Sequence, residues 1–161
     1  MKKQLVVLVA SAGLAASALV AAPAATAAPS DWDMVLDQGA PVVVDSIVID
    51  GVVIERIYEA VLRDDKGRKI GMLFGAQRRH GAKDRPGVEV RYRTLVFEFA
   101  DGQVIAEGVS KYKMDGPYLK PGKRTVIAIT GGTGAYVGVR GELKTVYLGD
   151  GLHRQMLKFV D

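Results

Sequence analysis

Turn-forming residues break this chain at short, nearly regular intervals, and the pieces between them are brief and rich in β-branched and aromatic residues. The run "VVVDSIVI" (42–49) ends at Asp50-Gly51, and the next, 53–63, stops at "DDKG" (64–67). Runs at 69–79 and 88–99 follow, and Asp101-Gly102, a strong hairpin signal, leads into 103–112. After the loop "KMDGPYLKPGKR" come 125–130, 136–148 and, past Gly149-Asp150-Gly151, 152–160. Eight short strands without the spacing of βαβ units predict an all-β chain: an eight-stranded antiparallel up-and-down barrel. Closure also removes the exposed sheet edges on which strands of different molecules pair.

The segment 53–63 carries two readings. Ile54, Ile57, Tyr58, Val61 and Leu62 fit a helical stripe, yet a four-residue turn joins the segment to an evident strand. Strand is the reading adopted.

Lys2 and Lys3 precede an apolar run, 5–20, and Ala25-Thr26-Ala27 has the small-x-small pattern that signal peptidases accept. Cleavage is expected after Ala27, followed by a linker, 28–41, and a barrel domain, 42–161. The mature protein is expected to be secreted, with no membrane segment left after cleavage. Export permits disulfides, but the chain has no cysteine, so its stability must come from a core. Without Lys2 and Lys3 the 22 basic residues fall to 20 against 18 acidic ones, which argues against nucleic acid as the main partner. The basic cluster Arg78 to Arg85 holds glycine and no aromatics and reads as a solvated loop.

The glycine-rich stretch "TGGTGAYVG" (130–138) invites a dinucleotide reading, because glycines let backbone N–H groups approach a pyrophosphate at a helix start. Only 23 residues follow Gly138, and they read as two strands rather than a helix. A tight connection between strands is expected instead.

With "RKIGMLFGAQ" and "VEVRYRTLVFEFADGQVIAEG", the stretch "AITGGTGAYVGVRGELK" resembles the signature of plant allene oxide cyclases and dirigent proteins. The resemblance spans about 42–160. It implies an eight-stranded barrel with an apolar interior, a homo-oligomer (trimer or dimer), and a small hydrophobic ligand whose ring closure or coupling the barrel steers without a cofactor.

It also nominates residues. The carboxylate those families place on the first strand falls at Asp45, in period two with Val43, Ile47 and Ile49; the same Asp can instead cap a bend or sit at the rim. A polar cyclase residue falls at Glu59, either inward or on an outer face, and Arg140 matches a dirigent arginine, either at the barrel mouth or in a surface pair. Gln77 and Ser110 stand where the cyclases carry a cavity cysteine and tyrosine, departures that argue against allene oxide as substrate while leaving a polar, ligand-facing group at each position. Tyr136 is the aromatic of the signature. Leu95, Phe97 and Phe99 read as interior residues, either filling the core or contacting the ligand. Two histidines and no cysteine argue against a transition-metal site, and no serine has a G-x-S-x-G context. Three functions stay open: a cyclase or isomerase acting mainly through shape, a non-catalytic carrier, and a solid-cored interaction barrel.

Overall fold

The computed structural model describes residues 31–50, 52–81, 88–113 and 121–160. The expected leader, 1–27, lies outside the described residues. Nine strands are present: β1 (Met34–Gln38), β2 (Val42–Ile49), β3 (Val52–Arg63), β4 (Lys69–Gly81), β5 (Val88–Phe99), β6 (Gly102–Lys113), β7 (Arg124–Gly134), β8 (Arg140–Gly149) and β9 (Leu152–Val160). From β2 to β9 each strand pairs antiparallel with the next.

The sheet closes through β1. Met34 to Gln38 pair with Leu157 to His153 on β9, while Asp37 and Gln38 also pair with Arg63 and Leu62 on β3. The barrel therefore has the eight antiparallel staves expected, but its closing stave comes from the segment read as a linker. The most β-like run of the chain, Val42–Ile49, is the extra strand. β1 already occupies the edge of β3 at Leu62 and Arg63, so β2 pairs with β3 only along Val52–Glu59 and is exposed throughout.

The 53–63 segment is strand, as adopted. Tyr58, Ala60 and Leu62 are buried while Ile57 is exposed, so period two displaces the helical stripe once β3 is paired on both sides. The same alternation fills the interior with Leu62, Leu73, Leu95, Phe97, Val104, Ala106, Leu143 and Leu157, all fully buried. Each large side chain among them contributes about 1.5–3 kcal/mol by leaving water.

One end of this core is closed by the glycine-rich stretch. β7 runs to Gly134, and a turn over Ala135–Gly138 follows, with φ of 61° at Gly134 and 84° at Gly138. The Ala135 N–H donates to the Asp101 carbonyl at 2.9 Å, tying this turn to the β5–β6 hairpin. Tyr136, expected to open a strand, lies in the turn, its ring 5.5 Å from that of Phe99 and 6.4 Å from that of Phe159. No helix follows, so this glycine stretch opens nothing a phosphate could cap.

Candidate functional site at the polar end of the barrel

Followed away from the Tyr136 plug, the inward positions of every stave change from apolar to polar. On β5 Phe99, Phe97 and Leu95 give way to Arg93, Arg91 and Glu89; on β6 Val104 and Ala106 give way to Ser110 and Tyr112. Leu73 is followed inward on β4 by Gly75 and Gln77, and β3 ends its buried series at Tyr58. Thr125 on β7, Thr145 and Tyr147 on β8, His153 and Gln155 on β9 and Gln38 on β1 complete the ring. The register sets neighbouring groups side by side: Gln77 pairs with Arg93, Arg91 with Ser110, Glu89 with Tyr112, Thr125 with Thr145, Thr145 with Gln155, and His153 with both Tyr147 and Gln38.

Two networks organise this end. In the first, the Thr145 hydroxyl donates to Gln155 Oε1 at 2.7 Å and Gln155 Nε2 donates to Gln38 Oε1 at 2.6 Å, stitching three staves together. In the second, Glu89 accepts from Arg91 and lies 3.5 Å from Arg79, while the Arg91 guanidinium stacks 4.6 Å from the centre of the Tyr112 ring.

Arg93 belongs to neither. It is only 5% exposed, its Nη1 donates to Thr125 Oγ1 at 3.1 Å, and its guanidinium stands beside the Tyr58 hydroxyl. Among the described residues no carboxylate lies within ion-pair distance of it. Two further polar atoms, Ser110 Oγ and His153 Nδ1, are buried without a hydrogen-bond partner among the described residues. Each such atom costs about 1–3 kcal/mol of desolvation.

Burial raises the Tyr58 pKa, and the nearby Arg93 charge only partly opposes it. Burial first, and then the Arg93 charge, lowers the His153 pKa to about 4. Near neutral pH the site therefore holds a neutral phenol able to donate and a neutral imidazole able to accept.

The candidates from sequence divide sharply. Leu95 and Phe97 lie in the core, Phe99 and Tyr136 at its plugged end, and Gln77 and Ser110 face the polar end. Asp45 does not face the interior: on exposed β2, its Oδ1 accepts the Ser46 N–H at 2.7 Å. Glu59 alternates with the buried Tyr58 and Ala60 and so points to the outer face. Arg140 opens β8 out of phase with Leu143 and donates to the Val139 carbonyl at 2.8 Å, exposed. Arg78 and Arg79, expected in a solvated loop, are on β4, where Arg78 makes a 2.7 Å ion pair with Glu55. Residues 82–85 of that cluster lie outside the described residues.

Sequence reading missed Arg93, Tyr58, Tyr112, Thr125, Thr145, His153, Gln155 and Gln38. For β5 the signal was present, because the phase of Leu95, Phe97 and Phe99 carries straight on to Arg93, Arg91 and Glu89.

A closed antiparallel barrel with an apolar core covered by aromatic rings at one end and polar groups lining the other has the layout of a ligand-binding or ligand-modifying barrel. Residues 47–155 match the allene oxide cyclase barrel like domain, and the chain belongs to that family. A solved structure named pyocyanin demethylase is similar in fold, with 23% sequence identity, a TM-score of 0.58, and coverage of 79% of this chain and 98% of that one. No curated protein matches the chain.

Proposed function

We propose that this protein, exported after removal of its leader, takes a small and largely apolar molecule into the polar end of the barrel and steers its isomerisation or ring closure. The observation that carries this reading is a set of buried polar groups there: Arg93, which among the described residues has neutral partners and no carboxylate within ion-pair distance, and Ser110 Oγ and His153 Nδ1, which have no hydrogen-bond partner among the described residues. A barrel with a purely structural interior gains nothing from these groups, whereas a ligand satisfies them on binding. The partly buried rings of Phe99, Tyr136 and Phe159 cover the apolar end, so in this reading a ligand enters from the polar end and its apolar part meets Leu95, Ala106 and Ile127.

Shape supplies most of the effect, by holding the ends of a flexible molecule together. Tyr58, kept neutral by burial, donates to a carbonyl or ether oxygen, and His153, kept neutral by burial and Arg93, accepts a hydrogen bond from the ligand.

Titration with Nile red, a neutral apolar dye, tests the reading. One saturable site is expected, lost in Ser110→Phe and weakened in Ser110→Leu, with circular dichroism unchanged in both. Absence of saturable binding, or full binding in both variants, overturns it. Binding of natural ligands without any conversion assigns the site to a carrier.

A further inference from the structure

We infer that the ligand presents an oxyanion, a carboxylate or an ionised phenol or enol, to Arg93, with Ser110 and Tyr58 as the neutral donors beside it. This rests on the binding site proposed above and names the chemistry of what fills it.

The charges at this end do not balance among the described residues. Three guanidiniums, those of Arg79, Arg91 and Arg93, face inward here, and the Glu89 carboxylate is held by Arg91 and Arg79. Arg93 is left with a neutral hydroxyl at 3.1 Å and a neutral phenol. A cation this deeply buried is costly unless an anion pairs with it, and replacing water with a dry neutral ligand would make it costlier still. A planar oxyanion matches the fork of guanidinium donors.

The surrounding donors fit the same species. Ser110 Oγ is buried with no hydrogen-bond partner among the described residues and sits in register with Arg91, next inward position to Arg93 along β5. The Tyr58 hydroxyl lies against the guanidinium from the other side of β4. Both donate readily to a negative oxygen. A cationic ligand would meet a net positive wall, and a neutral one would leave Arg93 unpaired.

The test compares 3-phenylpropanoate with 3-phenylpropan-1-ol by isothermal titration calorimetry on the full mature protein. The acid is expected to bind at least about 10-fold more tightly than the alcohol. Arg93→Gln should erase the difference, Arg93→Lys should retain part of it, and Ser110→Ala should weaken the acid several-fold and the alcohol by less. A parallel titration with 4-nitrophenol distinguishes the two sources of the oxyanion, since capture of the phenolate raises its visible absorption at fixed pH. Binding of either anion with this dependence on Arg93 supports the inference. If Nile red binds but acid and alcohol bind alike, or neither anion binds, the inference falls while the binding site stands. If Nile red also fails to bind, both fall together.

Discussion

The ring of Tyr58 on β3 lies over Gly75 on β4, its register partner, so closely that a Cβ at position 75 would fall 2.3 Å from the ring's Cζ and 2.6 Å from its hydroxyl oxygen. The missing side chain lets the phenol cross the pair and reach Arg93. Here backbone composition on one strand sets the position of a functional group on the next.

Gly75→Ala is therefore expected to displace the Tyr58 ring and to destabilise the fold by about 1–3 kcal/mol, the usual range for overpacking. In a Tyr58→Ala background the same change should cost far less. Urea denaturation of the four proteins of this double-mutant cycle measures the coupling, and strictly additive effects would mean that Tyr58 does not occupy the space above Gly75.

The barrel was legible because turn signals and β-rich runs are local properties, and seven of its eight staves are such runs. The eighth was not. Met34–Gln38 is five residues long and interrupted by Asp37, and its closing role depends on pairing with β3 and β9, which no local pattern encodes. The reverse error befell Val42–Ile49, whose composition suits any strand while its place on the edge of β3 is decided by β1. Site residues followed the same logic. Leu95, Phe97, Gln77 and Ser110 lie on strands whose phase is fixed by neighbours, but Glu59 and Arg140 fall on the outward parity of theirs. Arg93 escaped attention because charges in a strand suggest a solvated face by hydropathy, although parity alone puts it inside.

His153 makes stability depend on pH. Its folded pKa is depressed to about 4, below the unfolded value of 6.5, because burial and Arg93 disfavour the imidazolium. As pH falls through 6.5 the unfolded chain takes up this proton and the native state does not, so stability declines until about pH 4, by about 3 kcal/mol in total. Urea midpoints at pH 7 and pH 4.5 for wild type and His153→Gln measure this. The wild type should lose more stability than the variant over that interval, and parallel losses would show that His153 titrates normally.

The Thr145–Gln155–Gln38 chain is buried, so breaking it at one point strands an acceptor. Thr145→Val keeps the shape and removes the donor to Gln155 Oε1, with an expected cost of about 1–3 kcal/mol in thermal or urea unfolding. A change within about 0.5 kcal/mol would indicate that Gln155 finds another partner.

Asp45 provides the contrast on the outside. Because it is exposed on β2, Asp45→Asn should alter stability by no more than about 0.5 kcal/mol and leave Nile red affinity unchanged. Loss of dye binding in this variant alone, with Arg93→Gln unaffected, would move the site from the barrel interior to β2.

The most direct measurement of where the ligand sits is chemical-shift mapping of the isotope-labelled protein during titration with 3-phenylpropanoate, following the Arg93 side-chain Nε–H, the His153 ring and the backbone amides. The account predicts saturable shifts concentrated at Arg93, Ser110, Tyr58 and His153, with Ile129, Tyr136, Leu143 and β2 little changed. Saturable shifts confined to β2 or to the Tyr136 end, with the Arg93 and His153 signals unmoved, would contradict it.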